Sequence, residues 1–354
     1  MKKDKLKIIL YIEFFLIVLA IAVRTRAGEW YATTIYPQFS NISTHFNSIF
    51  PFSIGDLFVV CSLLSLIVVL FLKLNFWRKV GYIIAISAAI YICFSFSWGV
   101  NYYRDSVFIR ANVVPREFTK EELKEYASDY FKRLNSLYLL GFTADDSLKN
   151  NFLRREFTDL DKSKILRSYD NFALDFSLTN PTIGAYKPMI SNRLMEKVGV
   201  SGYFNPFFGE YHIRKSLFEV SKPFTFAHEA AHKSGVTSED EANFIGFIAC
   251  NSTDEPFIRF SGYYSLMGYM LSSLYAMVDE NEYSQIFQTI DSRIIELYKS
   301  EIEHNRELYS ETLGKAQSKI YDIFLKSNNV AEGRKSYGMV VGLLLHFQDY
   351  QKFQ

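Results

Sequence analysis

Three long apolar runs dominate the hydrophobic pattern of the first hundred residues. They lie at about 6–23, 54–72 and 80–98, and the last of them contains no charged residue. Each is close to the roughly 20 residues that a helix needs to cross the hydrocarbon core of a bilayer. A single run is compatible with a buried helix or a signal peptide, but three in succession favour membrane spans. The pattern therefore predicts a membrane region over residues 1–100 with three transmembrane helices.

The basic residues around these runs predict their orientation. Four lysines lie at or before the start of the first run, and three basic residues separate the second run from the third. The longer first loop carries only Arg24 and Arg26. Because basic residues are enriched on the cytoplasmic side, the N-terminus and the short second loop are expected in the cytoplasm. The sequence thus predicts a multi-pass protein of the cell (inner) membrane, with everything after residue 100 outside the cytoplasm.

From residue 101 onwards the pattern changes to frequent charges, with apolar residues at helical spacing. The stretch from Thr119 to Leu140 is amphipathic, and Thr119 with Glu122 predicts a capping box at its start. Residues 198–215 combine glycine, proline, aromatic and β-branched residues, which is typical of a hairpin. The predicted fold class is therefore mainly α. Three N-terminal transmembrane helices precede a mostly helical domain over residues 101–354 with a small β element.

The composition of the chain argues against some classes of function. The formal net charge is +1, and no basic segment is interleaved with aromatic residues, so nucleic-acid binding is not expected. The three cysteines form neither a disulfide framework nor a CxxC metal motif, and two of them lie in the apolar runs. Only Cys250 therefore remains for the polar part of the chain.

One short motif carries recognisable chemistry: His228-Glu229-Ala230-Ala231-His232, an HExxH pattern. Histidines four positions apart lie on the same face of a helix, about one turn apart, so both imidazoles can bind one Zn²⁺. The glutamate beside the first histidine is placed to accept a proton from water at the metal. The motif thus predicts two metal ligands, His228 and His232, and a catalytic base, Glu229.

A catalytic zinc site needs a third protein ligand, and the sequence leaves two candidates. Gly235 is expected to end the first helix, and Ser238 to begin the next one with a capping box to Glu241. Glu239 would share a face of that helix with small or polar residues, whereas Glu241 would share a face with isoleucines. We therefore expect Glu239 to be the ligand, with Glu241 as the alternative. Asn243, one turn after Glu239, would orient a ligand or its neighbour.

The segment from Glu239 to Asn243 resembles the ExxAD or ExxAN signature of the gluzincin metallopeptidases. In that family the first glutamate of the signature is the third zinc ligand, and the resemblance transfers this role to Glu239. Asn243 stands where many members of the family have Asp. The gap between His232 and Glu239 is also much shorter than in thermolysin-like members.

A wider resemblance covers nearly the whole chain. Besides the three apolar runs, the chain contains the motifs FPFSIGDLF, GVSGYFNPFFGEYH, FTFAHEAAHKSG, EDEANF and EGRKSYG. This arrangement resembles the bacterial membrane family catalogued as domain of unknown function 3810. The resemblance implies a membrane-tethered, zincin-like metallohydrolase domain and brings no established substrate. It also includes Arg334 and Tyr337, which it makes candidates for supporting the site or stabilising the transition state.

Together these features predict a membrane-anchored zinc-dependent metallopeptidase that hydrolyses a peptide or amide bond. Zn²⁺ would activate water, and Glu229 would take the proton of that water and pass it to the leaving amine. The expected partners are the lipid bilayer and a peptide, protein or cell-wall peptide substrate. The group that stabilises the oxyanion stays open. The candidates are Tyr211, His212, Tyr263, Tyr264, Arg334 and Tyr337.

The main alternative belongs to another class of protein. It is a membrane-anchored binding or sensor module in which a structural or inactive zinc site stabilises the helical domain. A Glu229→Gln variant separates the two, because only a hydrolase depends on that carboxylate for turnover.

Overall fold

The computed structural model of the protein describes residues 3–114, 116–141, 155–328 and 339–348. The chain folds into two compact units. The first comprises Met1–Ser106, Gly184–Ile190 and Phe204–Tyr211, and the second comprises Val107–Ile183, Ser191–Tyr203 and His212–Gln354. Helices dominate both units, and the strands of the described residues form one two-stranded sheet. The predicted mainly helical fold with a small β element is therefore confirmed.

The first unit consists mainly of helices that follow one another along the chain. They are α1 (Lys3–Arg26), α2 (Gly28–Trp30), a π-helical segment (Tyr31–Ile35), α3 (Tyr36–Ser48), α4 (Ile54–Phe71), α5 (Phe76–Ser97) and a 3₁₀ turn (Gly99–Tyr103). Side-chain caps define the starts of α4 and α5. Ser53 accepts a hydrogen bond from the backbone N–H of Asp56 at the start of α4, and Asn75 accepts one from Arg78 at the start of α5.

Three of these helices, α1, α4 and α5, are long and apolar enough to cross a membrane. Their apolar windows are Lys5–Val23, Ile54–Phe71 and Phe76–Ser97, close to the predicted limits, with mean hydropathies of 2.6, 2.6 and 1.9. Only 6%, 11% and 22% of these windows is buried within the protein, so most of their apolar side chains face outwards. An apolar surface of this extent is stable against lipid rather than water, which is consistent with a membrane protein.

A buried carboxylate fixes the start of α4 within the first unit. Glu210 accepts hydrogen bonds from the Ser53 hydroxyl (2.5 Å) and from the backbone N–H groups of Ile54 (3.1 Å) and Gly55 (2.8 Å). The first N–H groups of a helix have no partner inside the helix, and its N-terminus favours negative charge. A Cβ at Gly55 would collide with the Asn205 side chain, so glycine permits this close approach. The segment Phe204–Tyr211 is thereby bound to the beginning of the second apolar helix.

The second unit contains the remaining α-helices and part of a two-stranded hairpin. The elements are α6 (Val107–Arg110), α7 (Lys120–Leu140), α8 (Asp159–Ser168), α9 (Asn192–Val198), β1 (Gly202–Asn205), β2 (Glu210–Ile213), α10 (Lys222–Lys233), α11 (Glu239–Asn251), α12 (Pro256–Met277), α13 (Glu280–Phe287), α14 (Ser292–Leu308), α15 (Glu311–Ser327) and α16 (Val340–His346). The first two residues of β1 and the last two of β2 belong to this unit. The hairpin predicted within residues 198–215 is confirmed.

The helix predicted from Thr119 to Leu140 is confirmed together with its cap. Thr119 accepts a hydrogen bond from the Glu122 backbone (3.2 Å), and the Glu122 carboxylate accepts one from the Thr119 backbone (2.7 Å). The apolar face of α7, which includes Leu123 and Phe131, is fully buried. This face packs against α12, which in turn packs against α10 and α11, the two helices that carry the site.

Candidate metal centre

Helix α10 presents the two histidines of the HExxH motif on one face. The opposite face packs into the core, since Ala227, Ala230 and Ala231 are fully buried. Pro223 occupies the first turn, where a missing N–H has no cost. The Nε2 atoms of His228 and His232 lie 3.2 Å apart. The i, i+4 spacing therefore places the two imidazole nitrogens together.

Gly235 ends this helix in the manner predicted from the sequence. Its φ of +97° is in the left-handed region, which favours glycine. The Gly235 N–H donates to the carbonyl of His232 (2.9 Å) and the Val236 N–H to that of Ala231 (3.2 Å), which is the Schellman pattern. This turn also positions a side chain. The Nδ1 of His232 lies 2.8 Å from the Val236 carbonyl, which can only accept, so Nδ1 carries the proton and Nε2 faces its neighbours.

Helix α11 adds a carboxylate to the pair of histidines. Oε2 of Glu239 lies 3.1 Å from Nε2 of His228 and 3.6 Å from Nε2 of His232. These residues form a cluster whose ligand atoms all lie within 4.8 Å of one another. Ligands about 2.1 Å from a tetrahedral zinc ion are separated from each other by about 3.4 Å. The donor set and its spacing therefore fit a zinc ion.

Asn243, one turn along α11, contacts the first histidine. Its Oδ1 lies 2.9 Å from Nδ1 of His228 and orients the imidazole so that Nε2 points to the cluster. Gly246, a further turn on, allows the helices to approach, because a Cβ there would lie 3.1 Å from the His228 backbone nitrogen. On α12, burial raises the pKa of Tyr269, and a hydrogen bond with Asn243 opposes this rise.

Glu241, the alternative ligand, is held by other partners. Its carboxylate accepts hydrogen bonds from the Val107 backbone N–H (2.8 Å) and from the guanidinium of Arg110 (2.5 Å). The predicted capping box between Ser238 and Glu241 is wrong: Ser238 is the N-cap residue, but its side chain accepts no capping hydrogen bond. A charge-assisted bond to the buried Arg110 is stronger than the reciprocal capping bond. The geometry thus favours Glu239 as the ligand.

Glu229 lies beside the cluster in a nearly closed environment. The residue is 4% exposed, and its Oε2 has no hydrogen-bond partner in the described part of the chain. Burial raises the pKa of Glu229 to about 7, although the charges of His228 and His232 act against the rise. Strand β1 runs next to it, since a Cβ at Gly202 would lie 2.6 Å from Oε1 of Glu229. Glycine at this position leaves room for the carboxylate.

The charges of the cluster are strongly coupled. Burial opposes protonation of His232, but its hydrogen bonds to Glu239 and Val236 and the negative charges of Glu239 and Glu229 together outweigh burial and raise its pKa to about 9. Burial also disfavours the Glu239 carboxylate, yet the two imidazoles hold its pKa well below the usual range. Imidazole and carboxylate bind a cation only when they are deprotonated, so a metal ion at this cluster competes with protons.

The structure describes four of the residues proposed as oxyanion stabilisers. The hydroxyl of Tyr264 donates to Glu301 (2.8 Å), and Tyr263 is hydrogen-bonded to Arg133, so both have other partners. His212 stacks on Tyr203, with ring centroids 4.4 Å apart. Tyr211 belongs to the first unit.

Two further candidates, Arg334 and Tyr337, lie outside the described residues. Their predicted roles near the transition state therefore stay predictions.

The structure adds three hydrogen bonds at the first turn of α11 that could not be predicted from local patterns in the sequence. The hydroxyl of Tyr321 on α15 donates to Oε1 of Glu239. The Asp240 carboxylate accepts from the backbone N–H groups of Met339 (3.0 Å) and Val340 (3.1 Å) at the start of α16. Burial raises the pKa of Asp240 to about 7, and these two hydrogen bonds oppose the rise. Tyr321 lies 82 positions beyond Glu239, and 24 tyrosines offer no pattern to select it.

These features define a mainly helical protein with three membrane-length helices and a cluster of two histidines and one glutamate. The sequence pattern of the family described as "Protein of unknown function (DUF3810)" matches residues 31–345. The chain belongs to this family. No curated protein and no solved structure matches the chain.

Proposed function

We propose that this protein is a membrane-anchored zinc-dependent metallopeptidase, similar to the gluzincins, that hydrolyses a peptide or amide bond. One observation carries the proposal. The ligand atoms of His228, His232 and Glu239 converge within 4.8 Å, and the adjacent Glu229 lies buried beside them. This is the arrangement that metal-assisted hydrolysis requires: three protein ligands and a carboxylate able to move a proton.

The donor set supports zinc. Two imidazole nitrogens and one carboxylate oxygen suit a borderline-soft cation, whereas Mg²⁺ and Ca²⁺ prefer oxygen ligands alone. A zinc ion held there would supply the Lewis acidity that lowers the pKa of water and polarises a carbonyl group. Structural zinc sites have four protein ligands, and catalytic ones have three. The cluster among the described residues has three.

Glu229 is proposed to move the proton. Burial raises its pKa and so makes its carboxylate a stronger base than an exposed glutamate. It accepts the proton of a water molecule that attacks the scissile carbonyl, and it delivers that proton to the leaving amine. Asn243 and the Val236 carbonyl hold the histidine rings in the orientation that this arrangement needs.

Purified full-length protein in detergent tests the proposal. We expect cleavage of a quenched fluorescent peptide library, loss of cleavage when a chelator removes the metal, and recovery on addition of Zn²⁺. Cell-wall peptides serve as a second substrate set. Cleavage that persists unchanged after the metal has been removed would contradict the metal-dependent mechanism.

The location is proposed from the helices and the distribution of basic residues. Helices α1, α4 and α5 anchor the chain in the inner membrane, with residues after 100 outside the cytoplasm. We expect an impermeant maleimide to label Glu280→Cys in intact cells and to leave Lys73→Cys unlabelled. Both positions are exposed, and the native cysteines are first replaced in each variant. The reverse labelling pattern would place the second unit in the cytoplasm.

A binding or sensor module is the second candidate. The side chains of the cluster are only 8–13% exposed, as in a zinc site that stabilises a fold. In such a module zinc would raise the stability of the second unit without turnover. The Glu229→Gln variant described in the Discussion separates the two candidates.

A further inference from the structure

We infer that Tyr321 is a positioning residue that holds Glu239 as a ligand through one oxygen. The inference rests on the proposed metal site and extends it to α15, which lies far from the HExxH motif in the sequence. It is carried by the contacts of the two Glu239 carboxylate oxygens, each of which faces different side chains. Oε1 accepts a hydrogen bond from the Tyr321 hydroxyl, whereas Oε2 faces the two imidazoles.

This division has a direct chemical consequence. A carboxylate binds a metal through one oxygen or through both, and bidentate binding fills an additional coordination position. A phenol that donates to Oε1 occupies that oxygen and directs Oε2 towards Nε2 of His228 (3.1 Å) and Nε2 of His232 (3.6 Å). Hydrogen-bonded partners of this kind orient metal ligands and tune their affinity. At a bound metal ion, a coordination position for a reacting water molecule would thereby stay open.

Burial strengthens the requirement for a donor. Glu239 is 7% exposed, and the low-dielectric interior makes an unpaired carboxylate oxygen costly. The Tyr321 hydroxyl satisfies the oxygen that does not face the histidines. Phenylalanine at this position would leave that oxygen buried without its donor, and the carboxylate would be free to rotate.

The packing of α15 directs Tyr321 towards the site. Leu325, one turn further on, is 1% exposed, and Gly314, two turns earlier, is also buried, so the three residues share the inward face. A Cβ at Gly314 would collide with the Tyr309 ring, which packs closely over the helix. Ile320 and Ile323 are 69% and 60% exposed and mark the outward face. The tyrosine is therefore held by its helix and not by a flexible loop.

Metal affinity tests this role without relying on activity. We expect Tyr321→Phe in the full-length protein to bind Zn²⁺ about 10–100-fold more weakly than the wild type in competition with a chromophoric chelator. The visible absorption of bound Co²⁺ should change as well, because the geometry of the carboxylate changes. The matched control is Tyr309→Phe, the same chemical change at the base of α15 and away from the cluster, which should leave affinity and spectrum unaltered. Both variants are measured under conditions in which circular dichroism shows that their metal-free forms are folded.

A double-mutant cycle localises the effect. In a Glu239→Gln background, Tyr321→Phe should weaken zinc binding no further, because the hydroxyl acts through that carboxylate. Wild-type affinity in Tyr321→Phe, with metal still lost in His228→Ala, would overturn the positioning role and leave the metal site standing. An equal effect of Tyr321→Phe in both backgrounds would also overturn it. Absence of stoichiometric zinc in the wild type would overturn the metal site and the positioning role together.

Discussion

Replacing His228 with alanine is expected to abolish stoichiometric zinc binding. The wild-type protein should bind one zinc ion per chain, because three donor atoms are already assembled at spacings of 3.1–3.6 Å. The variant loses one of the three ligands and also the imidazole that Asn243 orients. Loss of a residue that merely supports a ligand costs about 10–100-fold in affinity, so loss of a ligand should exceed about 100-fold. Elemental analysis and chelator competition on the purified protein measure the effect.

The controls for this prediction use the same residue types at other positions. His45→Ala removes an exposed histidine of α3 and should leave zinc binding unchanged. Glu239→Gln should weaken binding, whereas Glu241→Gln should not, because Glu241 is held by Arg110 and the Val107 backbone. Equal losses in the two glutamine variants would mean that Glu239 is not the specific third ligand. Zinc retained at full stoichiometry in His228→Ala would rule out the cluster as the binding site.

The second large effect is expected from Glu229→Gln. Peptide hydrolysis should fall by about 10²–10⁴-fold, the usual contribution of a positioned general base. Zinc affinity should stay close to the wild-type value, because Glu229 lies beside the cluster but is not one of its members. Glutamine has the shape of glutamate and fits the space that Gly202 leaves. Initial rates on the peptide library, measured together with zinc content, test both parts of the prediction.

Glu280→Gln is the matched control, since it makes the same substitution at an exposed position at the start of α13 and should not alter the rate. Undiminished hydrolysis by Glu229→Gln with zinc bound would show that the proton moves through another group. Absence of hydrolysis in the wild type on every peptide set, with stoichiometric zinc and a raised melting temperature, would favour the binding or sensor module.

Part of the candidate site could be predicted from the sequence because it depends on interactions between residues close together in the chain. The pairing of His228 with His232 follows from helix periodicity, and the end of α10 follows from the backbone freedom of Gly235. The choice of Glu239 over Glu241 rested on the residues that share a helix face and stays a prediction; Oε2 of Glu239 lies 3.1 Å from Nε2 of His228. The capping box at Ser238 failed because capping rules consider only neighbours, and Arg110 reaches Glu241 from 131 positions away.

The sequence by itself determined the three apolar helices, the hairpin, and the pair of helices that carry the histidines and Glu239. Each depends on interactions within about one helical turn or on the composition of a continuous segment. Only the tertiary structure decided which distant residues form hydrogen bonds with these elements. Tyr321 donates to Glu239, Arg110 donates to Glu241, and Glu210 accepts from the start of α4. These contacts join residues between 82 and 157 positions apart, and their energy depends on burial, which no local pattern encodes.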